Sequence, residues 1–105
     1  MARRDGGPPD VVALGRAVAH PVRTEVLRTF CAAPSEWRTP SSLAAVLGIS
    51  IGTVSYHFRV LEGLGILEMK DETPVRGALA HHYGLSERWL EPIGDLVGRG
   101  EAERA

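Results

Sequence analysis

The sequence contains one cysteine, Cys31, in 105 residues. A lone cysteine excludes an intrachain disulfide and points to a reducing compartment, so a cytoplasmic location is expected. At helical spacing Cys31 falls near Leu27, which predicts a small buried hydrophobe. No apolar run is long enough to span a membrane, and no stretch has the layout of a secretory signal. No membrane partner is therefore expected. The chain also lacks a Gly-rich phosphate loop, a Ser/His/Asp arrangement, and Cys or His pairs at ligand spacing. An enzyme is not expected, and neither is a cofactor or a metal. His81-His82 comes nearest to a metal pair, but adjacent strand residues point to opposite faces. A basic excess is missing as well: the net charge is −1, whereas many DNA-binding domains are clearly basic. Acid is missing in one place in particular, because no Asp or Glu lies between Thr39 and Leu61.

That acid-free stretch is the core of the most informative segment, Thr39 to Gly65, TPSSLAAVLGISIGTVSYHFRVLEGLG. Thr39 can cap a helix and Pro40 suits its first position, where a missing N–H costs nothing. Leu43, Ala44 and Leu47 share a face, and Gly48 supplies a left-handed stop. Ser50 then caps a second helix. At about 100° per residue, Ile51, Val54, Phe58 and Leu61 form one stripe, which predicts the buried face. Gly52, Thr53, Tyr56, Arg59 and Val60 lie opposite. Two short helices with a tight turn read as a helix-turn-helix, whose second helix enters the major groove of double-stranded DNA. Small bodies, hydroxyls and a guanidinium suit base edges and phosphates. The expected DNA-facing set is Thr39, Ser41, Ser50, Gly52, Thr53, Ser55, Tyr56, His57, Arg59 and Arg76. Ser55 lies on the flank of that face. His57 lies at the edge of the core stripe, where a bond to the scaffold and a phosphate contact both fit.

After Gly65, Ile66 to Lys70 reads as a strand, residues 71–77 as a turn-rich connection, and Ala78 to Leu85 as a second strand. The resulting hairpin is a wing, with Arg76 at its tip near a minor groove. Asp71 and Glu72 on the same loop oppose that contact. Residues 1–9 read as a mobile arm and 99–105 as a frayed tail, leaving 10–98 as the domain. Asp10 can cap a helix from Val11 to Ala19, and Pro21 starts the next. Trp37 is expected to cover the core. Ser86 can cap a last helix that Pro92 breaks or kinks. Val11, Val12, Leu14 and Val18 in the first helix, with Trp89, Leu90, Ile93 and Val97 in the last, exceed the apolar surface that so small a core needs. They are expected to form a homodimer interface. A small-molecule effector, if one exists, would sit between these helices beside Trp89. The expected fold class is mainly α with a small β-hairpin: a winged helix-turn-helix of about five helices plus a two-stranded wing.

His20-Pro21-Val22-Arg23, Leu43-Ala44, Val54-Ser55-Tyr56-His57, Leu61, Gly65 and Arg76-Gly77-Ala78 resemble the ArsR-like winged-helix transcriptional regulators, particularly a non-metal branch common in actinobacteria. The resemblance runs from His20 to Leu85. It implies a homodimeric cytoplasmic repressor that reads an operator with the helix from Ile51 to Leu64. It also implies DNA contacts at the positions of Ser55 and His57. Metal-sensing members carry a Cys-x-Cys motif where this chain has Arg38-Thr39-Pro40-Ser41-Ser42. Others place Asp and His ligands on the last helix, where this chain offers Glu87, Glu91 and Asp95 without a histidine. Metal sensing is accordingly not implied. The near-neutral charge and the apolar terminal helices leave one alternative, a winged-helix module that binds protein instead of DNA.

Overall fold

The structure is a computed structural model that describes residues 11–75 and 78–98. The expected arm, the Asp10 cap, Arg76 and the tail lie outside the described residues. Among the described residues, five helices and a hairpin follow one another: α1 (Val11–Ala17), α2 (Pro21–Ala32), α3 (Pro40–Leu47), α4 (Ile51–Gly63), β1 (Leu67–Val75), β2 (Ala78–Leu85) and α5 (Leu90–Val97). A single 3₁₀ turn, Glu87–Trp89, leads into α5. The architecture is a mostly helical winged helix-turn-helix.

Local chemistry sets the helix boundaries. His20 caps α2, its Nδ1 accepting from the Val22 amide at 3.1 Å, with Pro21 at the first position. Thr39 and Ser50 cap α3 and α4 by accepting from the amides of Ser42 and Thr53, both at 3.1 Å. Gly48 ends α3 at φ 72°, a conformation that a Cβ disfavours. Pro92 is the third residue of α5. It therefore lies in the first turn, where no intrahelical N–H is needed, and it starts this helix instead of breaking it.

The core lies where α2, α4, the base of the hairpin and α5 meet. Leu27, Phe30, Leu43, Val54, Phe58, Leu61, Ile66, Trp89 and Ile93 are buried. Phe58 packs between Phe30, at a ring distance of 5.7 Å, and Tyr83, at 5.0 Å edge-on. Each such burial is worth roughly 1.5–3 kcal/mol relative to exposure. Arg28 donates from Nε to the Val97 carbonyl at 2.7 Å and ties the end of α5 to α2.

Four expectations are corrected here. Trp89, Ile93 and Val97 are 1%, 0% and 5% exposed. They fill the protomer's own core, so they are not available to a dimer interface, and Trp89 cannot line an effector pocket. The connection at 71–77 is strand as far as Val75. The antiparallel ladder survives there because a bulge sets Lys70 and Asp71 opposite His82, between the pairs Met69–Tyr83 and Glu72–His81. Trp37 lies on the outer side of the sheet, over Gly84, because Tyr83 and Leu85 face the core and alternation turns Gly84 outward. Ile51 is 54% exposed, although its place near the apolar stripe predicted burial.

Candidate nucleic-acid interface

The surface begins with the angle between α3 and α4. The chain turns through 120° between them, using only Gly48, Ile49 and Ser50. Leu43 and Ala44 of α3 and Val54, Phe58 and Leu61 of α4 are buried, and they hold α4 against the body of the domain by one side. Its other side is left outward.

On that outward side Gly52, Thr53, Tyr56 and Arg59 are exposed and Ser55 is half-buried. Tyr56 is 54% exposed, a large value for an aromatic ring with a hydroxyl at its tip. Ser50 makes two bonds to the first turn. Its Oγ accepts from the Thr53 amide and donates to Thr53 Oγ1 at 2.9 Å. Thr53 accepts in that second bond, so its own hydroxyl proton is not used in it. The hydroxyls of Thr39 and Ser50 are both engaged in capping, whereas Ser41 is exposed at the start of α3. Arg59 is the only charged residue from Ser50 to Leu61. Together these residues offer donors and one fixed positive charge, with the one carboxylate of α4, Glu62, only in its last turn, which suits a polyanion with acceptor-rich groove edges.

His57 departs from this face. It is 3% exposed, and its Nδ1 lies 3.2 Å from Nη1 of Arg23. Its ring rests between those of His20, at 4.5 Å, and Tyr56, at 5.0 Å. Burial, then the proximity of His20 and of Arg23, hold its pKa below the ordinary histidine value. The imidazole is therefore neutral near pH 7. Arg23 itself was not among the expected site residues. The signal was there: His20-Pro21-Val22-Arg23 starts a helix and places a guanidinium on its first turn.

The wing adjoins this surface through its base. Backbone bonds between Arg38 and Tyr83, 2.8 Å in each direction, attach the chain just before α3 to the outer edge of β2. The helix-turn-helix and the wing are thereby fixed to each other. Of the expected interface positions, Val11 and Val12 are 78% and 65% exposed, and Leu96, which the sequence reading passed over, is 54% exposed. Leu14, Val18 and Leu90 are half-buried against the core. An open cleft of about 450 Å³ lies beside the wing, between Pro34, Trp37, Glu68 and Leu90, and none of its lining residues belongs to α1.

A family model described as a helix-turn-helix domain matches residues 18–70, half of the chain. The chain belongs to this helix-turn-helix family. The matched span takes in α2, α3, α4 and the start of β1, so it covers every outward residue of α4 named above. A solved structure described as a possible transcriptional regulator, from Methanosarcina mazei Go1, covers 90% of this chain and 80% of its own, with 18% identity and a TM-score of 0.62. At that identity the likeness is one of fold. No curated protein matches the chain. Among the described residues no helix is long and apolar enough to cross a membrane.

Proposed function

We propose that this helix-turn-helix protein is a sequence-specific DNA-binding transcriptional regulator. The observation that carries the reading is the outward face of α4, where Gly52, Thr53, Tyr56 and Arg59 stand exposed on a helix that has no acid before Glu62 and is turned through 120° from its partner. α4 would lie in the major groove, with Tyr56 and Arg59 as its main contacts, Thr53 and Ser55 beside them, and Ser41 near the backbone. The wing would run toward the minor groove with Arg76 at its tip. Membership of the family and the fold likeness to a possible transcriptional regulator support a DNA-binding role.

The finer reading is a cytoplasmic homodimeric repressor on a palindromic operator, of a branch that does not sense metal. Exposed Val11, Val12 and Leu96 support a contact between copies, since apolar side chains left in water on terminal helices are natural interface material. A dimer would also double a small positive footprint. The test is selection from a random duplex library, followed by binding of the enriched sequence to Tyr56→Ala and Arg59→Ala. The reading expects a dyad-symmetric sequence, with both variants folded but each weakened by about ten- to a hundredfold, the scale of a lost base or phosphate contact. Absence of any enrichment, or full affinity in both variants, would count against it.

A further inference from the structure

One side chain joins three helices at the edge of the proposed groove-binding face. Arg23, on the first turn of α2, donates from Nε and Nη2 to the Arg16 carbonyl at the end of α1, at 3.2 and 3.0 Å. Its remaining terminal nitrogen, Nη1, reaches Nδ1 of His57 on α4 at 3.2 Å. His57 in turn carries the exposed ring of Tyr56 against its own. The chain of contacts therefore runs from the α1–α2 corner, through a buried imidazole, to a residue of the outward face.

The chemistry of the Arg23–His57 contact admits one protonation state. A guanidinium has five N–H donors and no acceptor. Nδ1 of His57 must then offer a lone pair, so the ring is neutral and carries its proton on Nε2. A proton on Nδ1 would set donor against donor and cation against cation. The charged and titratable groups facing the imidazole are Arg23 on α2, His20 at its N-cap and Tyr56 on α4 itself. None of them is an anion at neutral pH, so nothing in this set offsets an imidazolium. His20 worsens the balance, since its ring lies tilted against that of His57 and opposes a charge there.

We propose that Arg23 and His57 are positioning residues for α4, and that the chain holds DNA only while His57 is neutral, so that acid releases it. The proposal rests on the DNA-binding reading and adds a regulating condition to it. Protonation removes the tie between α4 and the α1–α2 corner and disturbs the ring on which Tyr56 leans. Its sign sets it apart from ordinary electrostatics. A histidine that gains charge near DNA normally tightens binding, because another cation neutralises phosphate. Here the added charge is spent against Arg23, and binding weakens.

The experiment measures affinity for the selected duplex from about pH 8 down to about pH 5, the range in which histidines titrate, at constant ionic strength. The wild type is expected to lose about tenfold or more, the usual scale of coupling between two sites. His57→Gln, which keeps an acceptor for Arg23 but cannot titrate, should lose that acid dependence. His20→Asn, which keeps a cap for α2, should retain it. Arg23→Gln should bind more weakly already at pH 8 with an unchanged circular dichroism spectrum, and Arg23→Lys should recover part of the loss. Affinity in the wild type that rises or stays level on acidification would overturn the proposal, as would an acid response abolished by His20→Asn and kept by His57→Gln. If no duplex is bound at any pH, the regulator reading fails on its own account. The tie is then judged by nitrogen NMR of the histidine rings at neutral pH, which also decides the matter if His57→Gln does not fold. A proton on Nε2 of His57, with a shift of Nδ1 in Arg23→Gln, supports the tie. A proton on Nδ1 rules it out.

Discussion

The indole of Trp37 lies directly on the backbone of Gly84, so close that a Cβ at Gly84 would stand 2.8 Å from the ring. Lys70 places its ammonium 4.7 Å from the centre of the same indole. Glycine at 84 is therefore a matter of space, not of backbone conformation. Trp37 clamps the base of the wing from its outer side.

Gly84→Ala should displace the indole and destabilise the domain by about 1–3 kcal/mol, the usual cost of overpacking. The single variant Trp37→Ala should cost less, since that ring is partly exposed. In the double variant the methyl group has room, and the two effects should not add. Urea denaturation of the four proteins reads the coupling, and strict additivity would mean that the two residues do not restrain each other.

Ser50→Ala should cost about 1 kcal/mol, because it removes the N-cap of α4 and leaves an orphan amide at Thr53. Thr53 would also lose the partner that orients its hydroxyl. A lower melting temperature accompanied by weaker DNA binding is expected. Ser50→Asp should restore the cap and the stability, but place an acid at the start of α4, where the chain has none, so stability would return without affinity.

Acid should destabilise the fold through His57. Its pKa is depressed in the folded protein, chiefly by burial and then by His20 and Arg23. The unfolded chain therefore binds more protons, and stability rises with pH. The contribution is fully present above the ordinary histidine value. It is lost as pH falls from there toward the lower folded value, and then levels off. The stability difference between wild type and His57→Gln, measured by denaturant at several pH values, should follow that course. A difference independent of pH would show that His57 has the same pKa folded and unfolded.

Terminal-helix variants should fall into two classes. Trp89→Ala removes a buried core side chain and should cost about 3–5 kcal/mol, enough to unfold a marginal domain. Val12→Asp, at an exposed position, should leave the monomer folded and weaken self-association in sedimentation experiments. If Val12→Asp self-associates as the wild type does, α1 is not the contact between copies.

The helix-turn-helix was legible because its signals are local. Thr39-Pro40, Gly48 and Ser50 each act on the backbone within a few residues, and the boundaries of α3 and α4 fall where they place them. The state of Ile51 and His57 was not legible. At about 100° per residue Ile51 lies about 20° beyond Phe58 and His57 about 40° beyond Leu61, so periodicity puts Ile51 in the stripe and His57 at its edge, the reverse of their burial. What separates them is tertiary: α2 brings Arg23 and His20 to the side of His57, while Ile51, at the first turn, stays in water. The same limit affected the last helix. Its apolar residues were evident, but whether Trp89, Ile93 and Val97 faced inward or outward depended on α2 packing against them. The strand through Asp71 to Val75 was hidden by turn-forming residue types, which a bulge accommodates.

The measurement that bears most directly on the central claim is fluorescence anisotropy of the purified protein with duplex DNA from its own upstream region, titrated at two salt concentrations. The account predicts saturable binding well above that of a scrambled duplex and weakened by added salt, as expected when phosphates are neutralised. Equal affinity for both duplexes, or no binding at low salt by a folded protein, would contradict it and turn attention to a protein partner for the same helix.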